Sequence, residues 1–238
     1  MRGLFITGSD TGVGKTHVGV RLAALLAERG LRVRPRKPVE SGCPRVGGVM
    51  RPQDASTYHA AVAGAEPLER ICPYRFEAAL SPERAAVLAG QDLRLDDLVA
   101  ACLDGVEASD FLLVEGAGGF CSPIAADGLN ADLALDLGLP VLLVSADRLG
   151  AIHQVLVTAE AIERRGLELA GVVLNRLSPQ VDPLLDNAAD LSRWLQHAVI
   201  TLPHASDASK AQAARTALSE LIGRLEAASV RPPPPRMD

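Results

Sequence analysis

The stretch LFITGSDTGVGKT, Leu4 to Thr16, decides the fold. Its opening apolar residues predict a short buried strand over Gly3 to Thr7. Its close, Gly14-Lys15-Thr16, ends a phosphate-binding loop of the form G-x-x-x-x-G-K-[ST]. The first glycine of that form falls at position 9, where this chain has Ser9. The glycine is Gly8, one residue early. From Thr16 to Gly30 apolar residues recur at Val20, Leu22, Ala23 and Leu26, a helical spacing, and Gly30 reads as its stop. Strand, glycine loop and helix in that order aim backbone N–H groups and the positive end of the helix dipole at one point, which favours an anion. Gly12 and Gly14 let the backbone curl around phosphate, Lys15 reaches a β- or γ-phosphate, and the Thr16 hydroxyl suits Mg²⁺. The plainer alternative is an ordinary strand-to-helix turn.

Outward from this loop the chain alternates strand and helix. FLLVE (Phe111 to Glu115), PVLLVSA (Pro140 to Ala146) and LAGVVLN (Leu169 to Asn175) are nearly unbroken apolar runs, suited to parallel strands covered on both faces. LRVRP (Leu31 to Pro35) and AVITL (Ala198 to Leu202) add two more strands. Helices are expected from Asp54, as cap, to about Ala63, then over Ser81 to Ala89, Leu95 to Glu107 and Ala208 to Ala227. A polar loop rich in Gly and Pro fills Lys37 to Pro52. These runs predict one α/β domain over residues 1–227, a doubly wound, mainly parallel sheet with helices on both faces, similar to P-loop NTPases. VRPPPPRMD cannot continue a helix, so residues 228–238 are expected to form a disordered tail.

The composition sets bounds. A chain of 238 residues is long enough for one large α/β core. A net charge of −5 gives no overall pull toward nucleic acid or an acidic membrane, so neither partner is expected. Cys43, Cys72, Cys102 and Cys121 form no C-x-x-C pair, which argues against a disulfide framework or zinc site and fits a reducing cytoplasm. MRGLFITG has no signal-peptide pattern, and no apolar stretch is long enough to span a bilayer.

Three further stretches converge if chemistry happens at the loop. Lys37, opening KPVESG, offers a second cation for developing charge. Asp54 is either a helix cap or a metal carboxylate. VEGAGG, Val114 to Gly119, ends an apolar strand in Glu115 and follows it with small residues that leave room for a ligand. Thr16, Asp54 and Glu115 together would give Mg²⁺ the hard oxygen ligands it prefers. Taken alone, Lys37 reads as a solvated lysine, Asp54 as a plain cap, and the glycines after Glu115 as a turn.

TGSDTGVGKT, KPVESG, RPQDA, PYRFEAALSP, VEGAGG, LPVLLVSADRLGAIHQ and LAGVVLNR, in this order, resemble the successive motifs of dethiobiotin synthetases over about Leu4 to Ala205. The displaced glycine belongs to that family's pattern, T-G-[ST]-D-T-x-V-G-K-T. The resemblance implies an ATP- and Mg²⁺-dependent enzyme that carboxylates 7,8-diaminopelargonic acid with CO₂ and closes the cyclic urea through a carbamic–phosphoric anhydride. It implies that Thr11, Lys37, Ser41 and Gly118 hold the diamine or its carbamate, with Lys15, Lys37 and Thr11 catalytic. Gly12, Val13, Gly14, Lys15, Thr16 and His17, with Asp54 and Glu115, Gly116, Ala117 and Gly118, would line the triphosphate and metal. Asn175, Arg176, Pro203, His204 and Ala205 match the segments around the base. The family is a cytoplasmic homodimer with its substrate site near the subunit interface.

Two positions depart from the family pattern. His153 stands where an asparagine is usual, on a helix that in the family approaches the substrate carboxylate across the dimer; it reads either as a hydrogen-bond donor there or as a simple helix-surface histidine. Arg176 stands where a small or acidic residue is common. Other classes fit less well. Partition-type ATPases, which switch dimerisation with nucleotide, carry a signature lysine five residues before the loop lysine; here that residue is Asp10. A cobyrinate-type amidating ligase needs a glutaminase domain, for which no room is seen after Leu202. A relative with a changed substrate stays open.

Overall fold

The computed structural model describes residues 2–180, 182–204, 206 and 208–228. In the first half of the chain, strand β1 (Arg2–Gly8) leads through the glycine loop into helix α1 (Lys15–Glu28), then β2 (Val33–Arg36), β3 (Val39–Ser41), β4 (Arg45–Val46) and β5 (Val49–Met50). Helices α2 (Gln53–Ala61) and α3 (Leu68–Ile71), strand β6 (Tyr74–Phe76) and helices α4 (Pro82–Leu88) and α5 (Leu95–Leu103) follow. The second half holds β7 (Phe111–Glu115), β8 (Pro123–Ala125), β9 (Gly128–Leu129), α6 (Asn130–Leu137), β10 (Val141–Ala146) and α7 (Ala151–Arg164). It ends with β11 (Leu169–Asn175), α8 (Asn187–Ser192), β12 (Val199–Leu202) and α9 (Ala208–Ala228). Beyond Ala228, the expected disordered tail lies outside the described residues.

Six of these strands form a parallel sheet in the order β12-β11-β10-β1-β7-β2. Successive strand residues face opposite sides, which splits the core in two. Leu4 and Ile6 join Leu113, Leu142, Val144 and Val173 under α1, α2 and α9. Phe5 joins Leu112, Val114, Val141, Leu143 and Leu174 under α4 to α7. Each fully buried Leu, Ile or Phe here stabilises the fold by about 1.5–3 kcal/mol. The expected doubly wound architecture is the one observed.

Parallel strands bring their carboxyl ends to one edge, and ligands bind there. β1 lies between β10 and β7, where the chain passes from one side of the sheet to the other. The loop after β1 therefore opens at that crossing.

The Lys37 to Pro52 region is more ordered than its polarity suggests. Val39 is buried, and β3 pairs in parallel with β6. β4 and β5 form a small hairpin about Gly47-Gly48, a dipeptide suited to tight hairpin turns. Asp54 is not the cap of α2. The cap position is Pro52, and Asp54 lies in the first turn. The capping oxygens come from Glu40, whose Oε1 and Oε2 accept from the Asp54 and Ala55 backbone N–H groups at 3.1 Å each.

Candidate active site

The glycine loop explains its own irregularity. A Cβ on Gly8 would lie 2.7 Å from the Asp10 carbonyl and 3.0 Å from Lys15 Nζ, so the close approach falls at position 8. Ser9, where the common pattern has glycine, is instead tied to the end of β10. Its Oγ bonds Ser145 Oγ at 2.9 Å and its N–H reaches the Val144 carbonyl at 2.9 Å. α1 then starts at Lys15 without a side-chain cap, which leaves its first N–H groups for an anion. Lys15 Nζ folds back to the Asp10 carbonyl at 3.1 Å.

Opposite this loop, the end of β7 carries Glu115, buried at 1% exposure. Its Oε1 accepts from Lys37 Nζ at 2.5 Å and from Thr16 Oγ1 at 2.9 Å. Lys37 Nζ also donates to the Gly116 carbonyl at 3.1 Å and pairs with Asp54 Oδ2 at 3.1 Å. Lys37 thus makes two hydrogen bonds and one further ion pair from a single ammonium. A cavity of about 370 Å³ opens over the group, lined by Thr11, Gly12, Gly14, Lys15, Thr16, Lys37, Glu40, Ser41, Asp54, Glu115, Ala117 and Gly118. Ser41 donates its hydroxyl to the Leu80 carbonyl at 2.6 Å.

The two lysines are held in opposite electrostatic states. Burial, and then the charge of Lys37, lower Lys15 to about 8. Burial alone would lower Lys37 too, but Glu115 and Asp54 outweigh it and hold its ammonium above the ordinary lysine value. Two carboxylates and the Thr16 hydroxyl thus converge around a position that already holds a positive charge. This hard-oxygen donor set fits a divalent cation bound together with phosphates and water.

The remaining expected site residues sit at varied distances from this centre. Val13 is buried, and its carbonyl accepts from Asn175 Nδ2 at 3.0 Å, which ties the end of β11 to the loop. Asn175 is itself buried, and its Oδ1 has no hydrogen-bond partner. His17 is half-buried and shares a hydrogen bond with Arg21 at 2.8 Å. Arg176 pairs with Asp147 at 2.9 Å. With Pro203 and His204 it lines a separate cavity of about 380 Å³. His153 stands exposed on α7 and does not line the cavity at Lys37. Ala205 lies outside the described residues.

Three groups at the site escaped sequence reasoning. Glu40 lines the cavity and caps α2. Tyr58 donates its hydroxyl to Glu115 Oε2 at 2.8 Å. Asn130, fully buried, supports the loop after Glu115. Its Oδ1 accepts from the Ala117 N–H at 2.9 Å, and its Nδ2 reaches the carbonyls of Ala117, Gly119 and Ser122 at 2.6, 3.0 and 3.2 Å. Asn130→Ala strands those groups and is expected to cost about 2–3 kcal/mol. In a thermal melt this lowers Tm by about 4–12 °C. An unchanged Tm would mean that the loop does not depend on Asn130.

The family model described as an AAA domain matches residues 2–226. A protein of Anaeromyxobacter dehalogenans (strain 2CP-C) named "ATP-dependent dethiobiotin synthetase BioD" is 46% identical over 194 residues, covering 81% of this chain and 85% of its own length. A protein of the same name from Anaeromyxobacter sp. (strain Fw109-5) is 41% identical over 232 residues, 95% of this chain and 100% of that protein. A third, from Vesicomyosocius okutanii, is 42% identical over 194 residues, 82% and 86%. Among solved structures, the septum site-determining protein MinD of Pyrococcus horikoshii OT3 with Mg-ADP aligns over 97% of this chain and 99% of its own, with TM-score 0.54 and 18% identity. A ParA family ATPase from Chlorobium tepidum TLS aligns over 97% and 93%, with TM-score 0.53 and 13% identity. At those identities the structural likeness shows the fold alone.

Proposed function

The chain belongs to the family of ATP-dependent dethiobiotin synthetases, ligases of biotin biosynthesis, and we propose that its reaction takes place in the cavity above Lys37. The observation that carries this reading is the convergence there of Lys15, Thr16, Lys37, Asp54 and Glu115. One amine of 7,8-diaminopelargonic acid takes up CO₂ and loses a proton, giving a carbamate. A carbamate oxygen displaces ADP from the γ-phosphorus, giving a carbamic–phosphoric anhydride. The second amine then attacks the carbamate carbon, loses a proton and expels phosphate, closing the urea ring of dethiobiotin.

Carbamate and γ-phosphate are both anions, so their approach needs fixed positive charge between them. Lys15 serves the phosphates from the loop, and Lys37 serves the transferring group from the opposite wall. Thr16, Asp54 and Glu115 are the residues that would hold Mg²⁺, which neutralises phosphate charge when bound. Lys37, paired with Glu115 and Asp54, holds its positive charge beside the place assigned to the γ-phosphate. The small residues Ala117 and Gly118 leave space for the diamine beside Thr11 and Ser41. The chemistry calls for no protein nucleophile.

The base of the nucleotide is assigned to Asn175, Arg176, Pro203, His204 and Ala205, with Gly12 to His17 and Gly116 along the triphosphate. The family resemblance supports a cytoplasmic homodimer. In such a dimer we assign His153, exposed on α7, to the partner's substrate carboxylate as a hydrogen-bond donor. No helix among the described residues is long and apolar enough to cross a membrane.

The test is phosphate release from ATP, Mg²⁺ and bicarbonate, with and without the diamine, while the product is followed by mass. Diamine-dependent release with one cyclic urea per phosphate is the expected result. Release indifferent to the diamine, with no cyclic urea, would mean that this chain acts on another substrate.

A further inference from the structure

We propose that Tyr58 is a positioning residue for this reaction, holding the Glu115 carboxylate so that Oε1 stays turned toward Thr16, Lys37 and the cavity. The inference rests on the reading that Glu115 takes part in holding a divalent cation with nucleotide.

In α2, Tyr58 is buried on the same side as Ala55, and a phenylalanine would fill the same space. The hydroxyl is what needs a reason. Tyr58 is fully buried, and a buried hydroxyl is costly unless it is bonded. The acceptor it finds is Glu115 Oε2, at 2.8 Å. The other oxygen, Oε1, takes Lys37 and Thr16. The last torsion of a glutamate is broad and roughly two-fold, so an unanchored carboxylate tilts and exchanges its oxygens. The Tyr58 bond removes that freedom and assigns each oxygen one role.

The backbone makes room for this contact. α2 packs on α1, and the Tyr58 hydroxyl lies over Gly19, about one turn beyond Thr16. A Cβ on Gly19 would stand 1.7 Å from Tyr58 Oη and 2.9 Å from Ile6 Cδ1. Any side chain at position 19 would push the hydroxyl off Glu115. The glycine in THVGV is thus explained by the bond from Tyr58, as well as by helix packing.

Outer groups that orient a metal ligand typically change affinity or activity about 10–100-fold when removed. Tyr58→Phe deletes one oxygen and keeps the ring. Mn²⁺ binding to the protein–ADP complex, read by electron paramagnetic resonance, is expected to weaken by a factor in that range. Turnover should fall with it, while KM for the diamine and metal-free ADP binding hold. Mn²⁺ affinity and kcat equal to those of the parent would overturn the proposal. A parent protein whose ADP complex binds no Mn²⁺ would overturn the cation reading itself, and this inference with it. A second measurement leaves the sequence intact. Tyr58 and Tyr74 are the chain's two tyrosines, so fluorotyrosine labelling gives two fluorine resonances, assigned with Tyr74→Phe. Adding Mg²⁺ to the ADP complex should move the Tyr58 resonance and leave that of Tyr74 in place. A stationary Tyr58 resonance would also overturn the proposal.

Discussion

Lys37→Ala is expected to lower kcat by about 10²–10³-fold while ATP still binds. In the proposed reaction Lys15 acts from the loop assigned to the triphosphate, so its contribution is felt when ATP binds. Lys37 lies on the opposite wall, bonded to Glu115 and the Gly116 carbonyl and paired with Asp54. On that proposal its interaction with the transferring phosphoryl group is made late, when charge develops between carbamate and leaving group. A contact of that kind lowers kcat on removal and leaves substrate binding little changed. The substitution also leaves the buried Glu115 carboxylate without its cation, so Tm is expected to fall; Thr16 and Tyr58 still bond Glu115, and the kinetics are read below the melting transition. Steady-state kinetics beside ATP titration separate the outcomes. Near-normal turnover would remove Lys37 from the chemistry. An equal loss of ATP affinity would make it part of the phosphate cradle instead.

The residues legible in the sequence share one property: each belongs to a short motif whose neighbours give it meaning. The loop Gly8 to Thr16 and Glu115 close apolar strand runs, and Lys37 directly follows the short strand β2. Parallel topology then carries them to one edge. The residues that were missed depend on partners distant in the chain. Tyr58 acquires its role from Glu115, 57 positions away, and Glu40 from a helix 14 positions on. No periodicity within either stretch signals those contacts. Asn130 lies 13 residues from Ala117, and only the folded loop shows that its amide supports the site. Asp54 was read as a cap because acidic residues favour helix starts, yet Glu40 reaches in from β3 and takes the cap for itself. β3 and β6 were overlooked for the same reason, since each is short and pairs across more than thirty residues. The His153 departure is visible in the sequence, but His153 stands exposed on α7 and does not line the cavity at Lys37.

Glu66→Ala is expected to destabilise the protein by about 3–5 kcal/mol, although Glu66 lies outside the cavity. Arginine is rarely fully buried unless paired, yet Arg36 on β2 is 0% exposed. It pairs with Glu66 Oε1 at 3.1 Å and donates NH2 to the Asp104 carbonyl at 2.6 Å. Arg34 pairs with the other oxygen of Glu66 and, at 2.9 Å, with Asp110. Burial lowers Arg36 from its usual value, and the Glu66 charge works against that shift. Removing Glu66 leaves one guanidinium buried without a carboxylate and another with half its partners. At this chain length the loss corresponds to a fall in Tm of about 6–20 °C. Replacing Arg36 and Glu66 together with Met and Leu should recover much of the loss, since apolar pairs of similar volume often match a buried ion pair. The recovery separates the cost of an unpaired charge from the cost of a lost contact. Arg36 immediately precedes Lys37, so the network anchors the strand end that carries the ammonium proposed to act in the reaction. The double variant should therefore regain Tm more completely than kcat, measured on the same preparation. Full recovery of both would mean that packing alone sets Lys37 in place. No loss of Tm in Glu66→Ala would mean that the buried arginines do not depend on this carboxylate.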